Sequence, residues 1–250
     1  MALLKRKTKA KAGADGRMTV VDHLTELRRR LIISGIAVAV GAIVCFIFSD
    51  SIISFFVKYY RDATDGERQK LIFLGPLDAF ATRLKIATYG GIVLAFPVWL
   101  YQLWRFITPG LNPNERKYAV PFVLTSIVLF VMGGLVALLT LPQALGFLLN
   151  IGGSDLSPAL TADKYLGLIS LMIVAFGLAF EFPVVLVFLL LAHVITTQQL
   201  RKWRRIAIVV IVAFAAIITP SQDPYSLFAM AVPMWIFYEL SIIIGRILKR

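Results

Sequence analysis

The chain has 250 residues, 59% of them hydrophobic and 16% charged, with a mean hydropathy of +0.81 and a formal net charge of +12. A water-soluble globule of this length carries more charge and intersperses it with apolar residues, so the long uncharged runs point to a polytopic membrane protein. No strand-like alternation over segments of about ten residues recurs, which argues against a β-barrel, and lipid offers no partner to unpaired backbone groups, so the spans are expected to be helices.

The stretch KRKTKAKAGADGR, Lys5 to Arg17, is basic, polar and without helical periodicity. Residues 1–17 therefore read as a disordered tail able to touch anionic lipid head groups. From Thr19 the pattern changes. TVVDHLTELRRRL places Val20, Val21, Leu24, Leu27 and Leu31 on one helical face, and His23, Glu26, Arg28 and Arg29 on the other. Thr19 and Asp22 have capping-box spacing. An amphipathic helix lying along the cytoplasmic surface and running into the first span is the expectation.

Six apolar runs follow: Leu31–Phe48, Ile86–Trp104, Tyr118–Leu141, Tyr165–Ala192, Ile206–Ile218 and Pro224–Tyr238. With their flanks they give spans at about 31–48, 79–107, 115–141, 165–192, 206–219 and 225–244 of a single six-helix domain, residues 18–250. The first run is not a cleavable signal, because it lies far from the N-terminus and is followed by aromatic residues. It contains Cys45, the only cysteine, which excludes a disulfide or a thiol metal site within the chain.

Between the second and third runs, TPGLNPNERK (Thr108 to Lys117) reads as a tight turn. Asn112 suits an N-cap, Pro113 the first helical position and Glu115 the third. Leu141 to Lys164, with Pro142, Gly152, Gly153 and Pro158, reads as an external loop. The last two runs, of 13 and 15 residues, reach only about 20 and 22 Å at 1.5 Å per residue. A hydrocarbon core is about 30 Å thick. Both are expected to cross beside a thinned bilayer, with Thr219 and Asp223 on an external tip where the aspartate is solvated. A re-entrant hairpin would instead bury that charge at a cost.

Nineteen Lys and Arg flank one side of these spans and seven the other. The positive-inside rule puts both termini in the cytoplasm, and the basic excess reads as orientation, not as nucleic-acid binding. The chain holds no HExxH, GxSxG, P-loop or acidic metal pair, so no catalytic residue, metal or cofactor is expected.

Three carboxylates remain. Glu181 is the one charge in the 28 residues from Tyr165 to Ala192, where a charge costs roughly 2.5 kcal/mol or more. Pro183 removes a backbone hydrogen bond and frees the carbonyl of Ala179. Pro97 is a second expected kink. One reading is a kinked helix in which a protonated Glu181 satisfies a neighbour such as Gln102. The other is a polar hollow, open to water or to a partner helix. Glu26 and Glu115 each adjoin a membrane entry point on a face crowded with bases. Each has an ordinary use, Glu26 pairing with Arg30 and Glu115 completing a helix N-terminus. Together at head-group depth they would suit the guanidinium groups of a ligand.

These residues carry a resemblance. His23-Leu24, Glu26-Leu27-Arg28 and Arg30 resemble the N-terminal signature of the TatC family, the multi-spanning subunit of the twin-arginine protein translocase. Phe96-Pro97, Tyr101-Gln102, Phe106, Pro109, Leu111 and Glu115 resemble the motif around its first cytoplasmic loop. Phe176-Gly177, Phe180-Glu181 and Pro183 are similar to its fourth span, and Thr219-Pro220, Asp223, Pro233 and Tyr238-Glu239 to its closing helix pair. The similarity runs in order from about Met18 to Arg250. FFVKYYRDAT, Phe55 to Thr64, departs from it by lacking a proline often found after the first span, which leaves that loop's shape open.

The resemblance implies a cupped, all-α, six-helix membrane fold with cytoplasmic termini, in a bacterial cytoplasmic membrane. It implies a receptor for signal peptides bearing paired arginines, on folded cargo exported by the proton-motive force. It assigns signal recognition to Glu26 and Glu115 with Arg28 and Phe106, and sets Glu181 and Gln102 on an intramembrane polar, concave face. Implied partners are small single-span subunits of the TatA and TatB type, membrane lipids and further copies in a larger complex. The competing readings from the residues are a secondary transporter of solutes or ions using Glu181 for coupling, and a membrane scaffold. The transporter wants repeated interrupted helices, and none is convincing. The scaffold leaves the two surface carboxylates without a role.

Overall fold

The computed structural model describes residues 20–63, 71–107, 119–152 and 160–247. Nine helices occur among the described residues: α1 (Val20–Ile47), α2 (Ser49–Ala63), α3 (Pro76–Leu94), α4 (Phe96–Ile107), α5 (Ala119–Asn150), α6 (Ala162–Ala179), α7 (Phe182–Leu191), α8 (Thr197–Ile218) and α9 (Pro224–Ile247). No strand is found among them, only an isolated bridge between Ile72 and Thr161. The basic tail, the Thr19 cap and the TPGLNPNERK turn lie outside the described residues.

Apolarity over one bilayer width decides which helices can cross. α1, α5, the broken pair α6 and α7, and α9 are each long and apolar enough, and α3 with α4 makes a fifth candidate. α8 does not qualify, because Arg201, Lys202, Arg204 and Arg205 occupy its first half. Yet α8 and α9 hold 22 and 24 residues, about 33 and 36 Å at 1.5 Å per residue. The expected shortness belongs to their uncharged portions and not to the helices.

Two helices break near prolines. α3 and α4 meet at 50° about Ala95, with Pro97 the second residue of α4. Pro97 has no N–H for the carbonyl of Val93, and the Trp99 indole covers the nearby Ile92 carbonyl at 3.2 Å. The second break, at Phe180–Glu181, lies just ahead of Pro183.

One segment left open takes a definite shape, and one expectation is corrected. The region after the first span contains α2, whose Ile52, Phe56 and Tyr60 recur every fourth residue. Phe56 and Tyr60 are buried, and the Tyr165 hydroxyl donates to the Phe56 carbonyl at 2.8 Å. The external loop expected from Leu141 begins later, because α5 continues through Pro142 to Asn150. One missing N–H there is outweighed by burial of Leu141, Ala144 and Leu145.

α6 is the central element. Tyr165, Leu166, Ile169, Met172 and Phe176 are buried along it against α2, α3, α5 and α9. Small residues permit the closest approaches, as expected where helices associate by packing. Gly41 on α1 faces Gly91 on α3, and Gly177 on α6 faces the Phe130 ring on α5. At one end Lys85 on α3 bonds Asp163 on α6 at 2.7 Å, and Arg83 reaches Asp50 on α2 at 2.5 Å. At the other the Tyr238 hydroxyl on α9 donates to the Leu200 carbonyl on α8 at 2.7 Å.

A Cβ at Gly91 would lie 2.6 Å from the Ala42 amide nitrogen, whereas one at Gly35 meets nothing within 4 Å. Gly91→Ala is therefore expected to lower unfolding stability in detergent by about 1–3 kcal/mol through overpacking. Gly35→Ala should stay within about 0.5 kcal/mol of the parent. Equal midpoints for the two variants would show that the crossing of α1 and α3 is not this tight.

Candidate functional site

The start of α1 packs against the end of α4, and this junction gathers polar side chains. Glu26 and Arg30 stand one turn apart on α1 and so share a face. Arg30 donates from Nε to Glu26 Oε1 at 3.1 Å and from Nη2 to the same oxygen, while Nη1 donates to Gln102 Oε1 on α4 at 3.1 Å. The guanidinium thus ties the two helices together. Both ion-pair partners are mostly covered, with 14% of the Arg30 and 19% of the Glu26 side chain exposed. Glu26 Oε2 is buried and has no hydrogen-bond partner among the described residues. One turn before Glu26, His23 stacks on Phe106 with ring centroids 4.3 Å apart and planes 16° apart.

Glu26 and Arg28 on α1 and Phe106 on α4 thus lie at the same end of the molecule, Arg28 exposed and Phe106 half-buried. Glu115 lies outside the described residues. Chemically, the junction offers a carboxylate oxygen with unused acceptor capacity, a flat aromatic pair and several bases. That set can receive a forked cationic donor.

Gln102 corrects an expectation. Its oxygen is engaged by Arg30, and it does not serve Glu181. Glu181 sits at the break between α6 and α7, half-buried and near the Ser126 hydroxyl of α5. The contact falls short of a formed bond: Glu181 Oε1 and Ser126 Oγ are both buried without a hydrogen-bond partner among the described residues. Sequence reasoning missed Ser126, since a serine in an apolar helix usually bonds its own backbone. A groove of about 350 Å³ between α5, α7 and α9 runs past Thr125 and Pro183. Its lining is almost wholly apolar and does not include Glu181, so it is not the polar hollow expected there.

At the opposite end, Asp223 corrects another expectation. It is 1% exposed, as is Thr219, so neither side chain projects into solvent. Asp223 Oδ1 accepts the Ser226 amide at 2.8 Å, and Pro224 follows as the first residue of α9. This is an N-cap, in which the aspartate meets the free amides and positive end of a helix. The spacing of Asp223, Pro224 and Ser226 carried that signal, and the argument from solvation loses its premise. Thr219 turns its hydroxyl toward the Met230 sulfur at 3.9 Å.

Comparison with known proteins bears on the whole chain. The family described as Sec-independent protein translocase protein (TatC) matches residues 22–233. The protein of that name from Carboxydothermus hydrogenoformans is 39% identical over 236 residues, covering 94% of this chain and 96% of that protein. Its namesake from Frankia casuarinae is 43% identical over 241 residues, or 92% of this chain, and the match spans 66% of that longer protein. Among solved structures, the crystal structure of twin arginine translocase receptor TatC superposes with a TM-score of 0.76 at 39% identity. That match covers 91% of this chain and 100% of the other. A second structure of that receptor, in DDM, gives 0.73 at 39% identity over 89% and 99% of the two chains.

The N-cap is testable on its own. Asp223→Ala should cost about 0.5–2 kcal/mol, read as a lower unfolding midpoint in detergent, while Asp223→Asn keeps an equally good cap and should be nearly neutral. Equal loss in both variants would assign the effect to charge instead of to capping.

Proposed function

The chain belongs to the TatC family, and from that premise we propose that it is the receptor for twin-arginine signal peptides. In this role it is the core subunit of a translocase that exports folded proteins across the bacterial cytoplasmic membrane on the proton-motive force. Its nineteen basic residues on one side of the spans set both termini in the cytoplasm. Six crossings then follow, with α3 and α4 forming one bent span and α6 and α7 another. α8 and α9 cross where the bilayer is thinned. Small single-span subunits of the TatA and TatB type, further copies of the chain and membrane lipids are its partners.

The observation that carries this reading is Glu26: a carboxylate covered at the junction of α1 and α4, with one oxygen unpartnered among the described residues and basic residues around it. A lone acceptor in such company suits a ligand that brings guanidinium groups, because arginine makes charge-assisted, forked bonds. Glu115 supplies the second carboxylate, and Arg28 and Phe106 border the site. In the membrane, Glu181 and Ser126 offer hydrogen-bonding capacity to an inserted signal peptide or partner helix.

Binding of a twin-arginine peptide to the purified chain, against a twin-lysine control, tests the proposal. The arginine peptide should bind at least about tenfold more tightly, the worth of one charge-assisted hydrogen bond. Glu26→Lys and Glu115→Lys should each abolish most of that binding while the protein remains inserted, since like charges at an interface cost several kcal/mol. Equal binding of both peptides, or unchanged crosslinking in both variants, would refute it.

The intramembrane carboxyl gives a separate outcome. If Glu181 works by hydrogen bonding, Glu181→Gln retains most transport and Glu181→Ala loses it. Export of a reporter cargo by stable, inserted variants measures this, and a Gln variant as inactive as Ala would require an ionised carboxylate.

A further inference from the structure

The Glu26 carboxylate already holds a guanidinium, and it is the chain's own. Arg30 places Nε and Nη2 on Glu26 Oε1, leaving Oε2 buried and without a partner among the described residues, and sends Nη1 to Gln102 on the neighbouring helix. A planar fork spanning two acceptors on two helices is what the guanidinium geometry provides and an ammonium does not. Arg30 is therefore a bound internal copy of the group that a twin-arginine signal would present.

We propose that Arg30 is a resident competitor: it holds Glu26 and Gln102 until a signal guanidinium takes its place, and thereby sets the preference for arginine over lysine. The inference rests on the receptor reading above. An incoming arginine restores the same forked bonds to Glu26 and Gln102, so the exchange is nearly even. An incoming lysine has a compact head that cannot span both acceptors, so displacing Arg30 leaves one of them unpaired at a covered site. Arg30 lies one helical turn from Glu26 on a long side chain, so it can swing to solvent by rotamer change without moving α1. Arg28 and Arg29 are exposed on the same turn.

The test measures affinities of fluorescent twin-arginine and twin-lysine peptides for the full chain in detergent, for the parent, Arg30→Lys and Arg30→Gln. Both variants should narrow the arginine-to-lysine affinity ratio by about tenfold, chiefly by tighter binding of the lysine peptide. In Arg30→Lys the resident group becomes an ammonium, so a lysine exchanges like for like. If the ratio is unchanged, or if arginine-peptide binding falls with the ratio preserved, Arg30 merely positions Glu26 and the proposal is overturned. Should neither variant purify as a folded protein, Gln102→Leu removes only the second anchor; it should narrow the ratio in the same direction, and an unchanged ratio there overturns the proposal. A parent chain without preference for the arginine peptide would defeat the receptor reading itself, so the two failures are distinguishable.

Discussion

The lack of water in a bilayer core is the constraint on which the rest of this structure depends. Every backbone amide and carbonyl there must find its partner inside the chain, which makes helices obligatory and makes each interruption costly. The two breaks are handled locally. At Ala95 the Trp99 indole covers a nearby carbonyl, and at Phe180 the amide of Glu181 reaches the Leu178 carbonyl at 3.1 Å. α6 satisfies its backbone internally, and its mostly apolar side chains make it the post around which α2, α3, α5 and α9 pack.

The same constraint sorts the polar side chains. Asp223 avoids a cost by capping α9, and Glu239 by pairing with Arg204 at 2.5 Å across α8 and α9. Among the described residues Glu26, Glu181 and Asp223 each keep one buried oxygen unpartnered, but Asp223 already spends its other oxygen on the helix cap. Unsatisfied acceptors at the head-group junction and at a helix break are where an arriving peptide can add bonds that the chain lacks.

Much of this was legible in the sequence where one physical rule dominates. Uncharged length marks the spans, Pro97 and Pro183 mark residues next to the breaks, and the four-residue spacing of Glu26 and Arg30 marks their pair. Legibility fails where rules compete. α2 hides its apolar stripe among Asp50, Lys58 and Arg61, so that composition says loop while the spacing of Ile52, Phe56 and Tyr60 says helix. Pro142 signals an end that core packing overrides. Asp223 reads as a charge needing water until Pro224 and Ser226 are read with it as a cap. The bond of Gln102 to Arg30 joins residues 72 apart, and no local pattern encodes it.

The pairing of Arg204 with Glu239 also gives the thin-bilayer proposal a firmer footing than helix length did. The pair fixes one polar level shared by α8 and α9, and the capped tip at Thr219 to Asp223 fixes the other. Between those levels lie only Ile206–Ile218 and Pro224–Tyr238, 13 and 15 residues, or about 20–22 Å of apolar helix. Mismatch with a core of about 30 Å is relieved by tilt only when the apolar segment is too long; when it is too short, the bilayer must thin or side chains must snorkel. Arg201, Lys202 and Arg205 can snorkel, but Glu239 is held by Arg204, so the paired level resists being drawn into hydrocarbon. On that proposal thinning is the relief that leaves the protein unchanged, and it would act at the two helices farthest along the chain from the Glu26 junction.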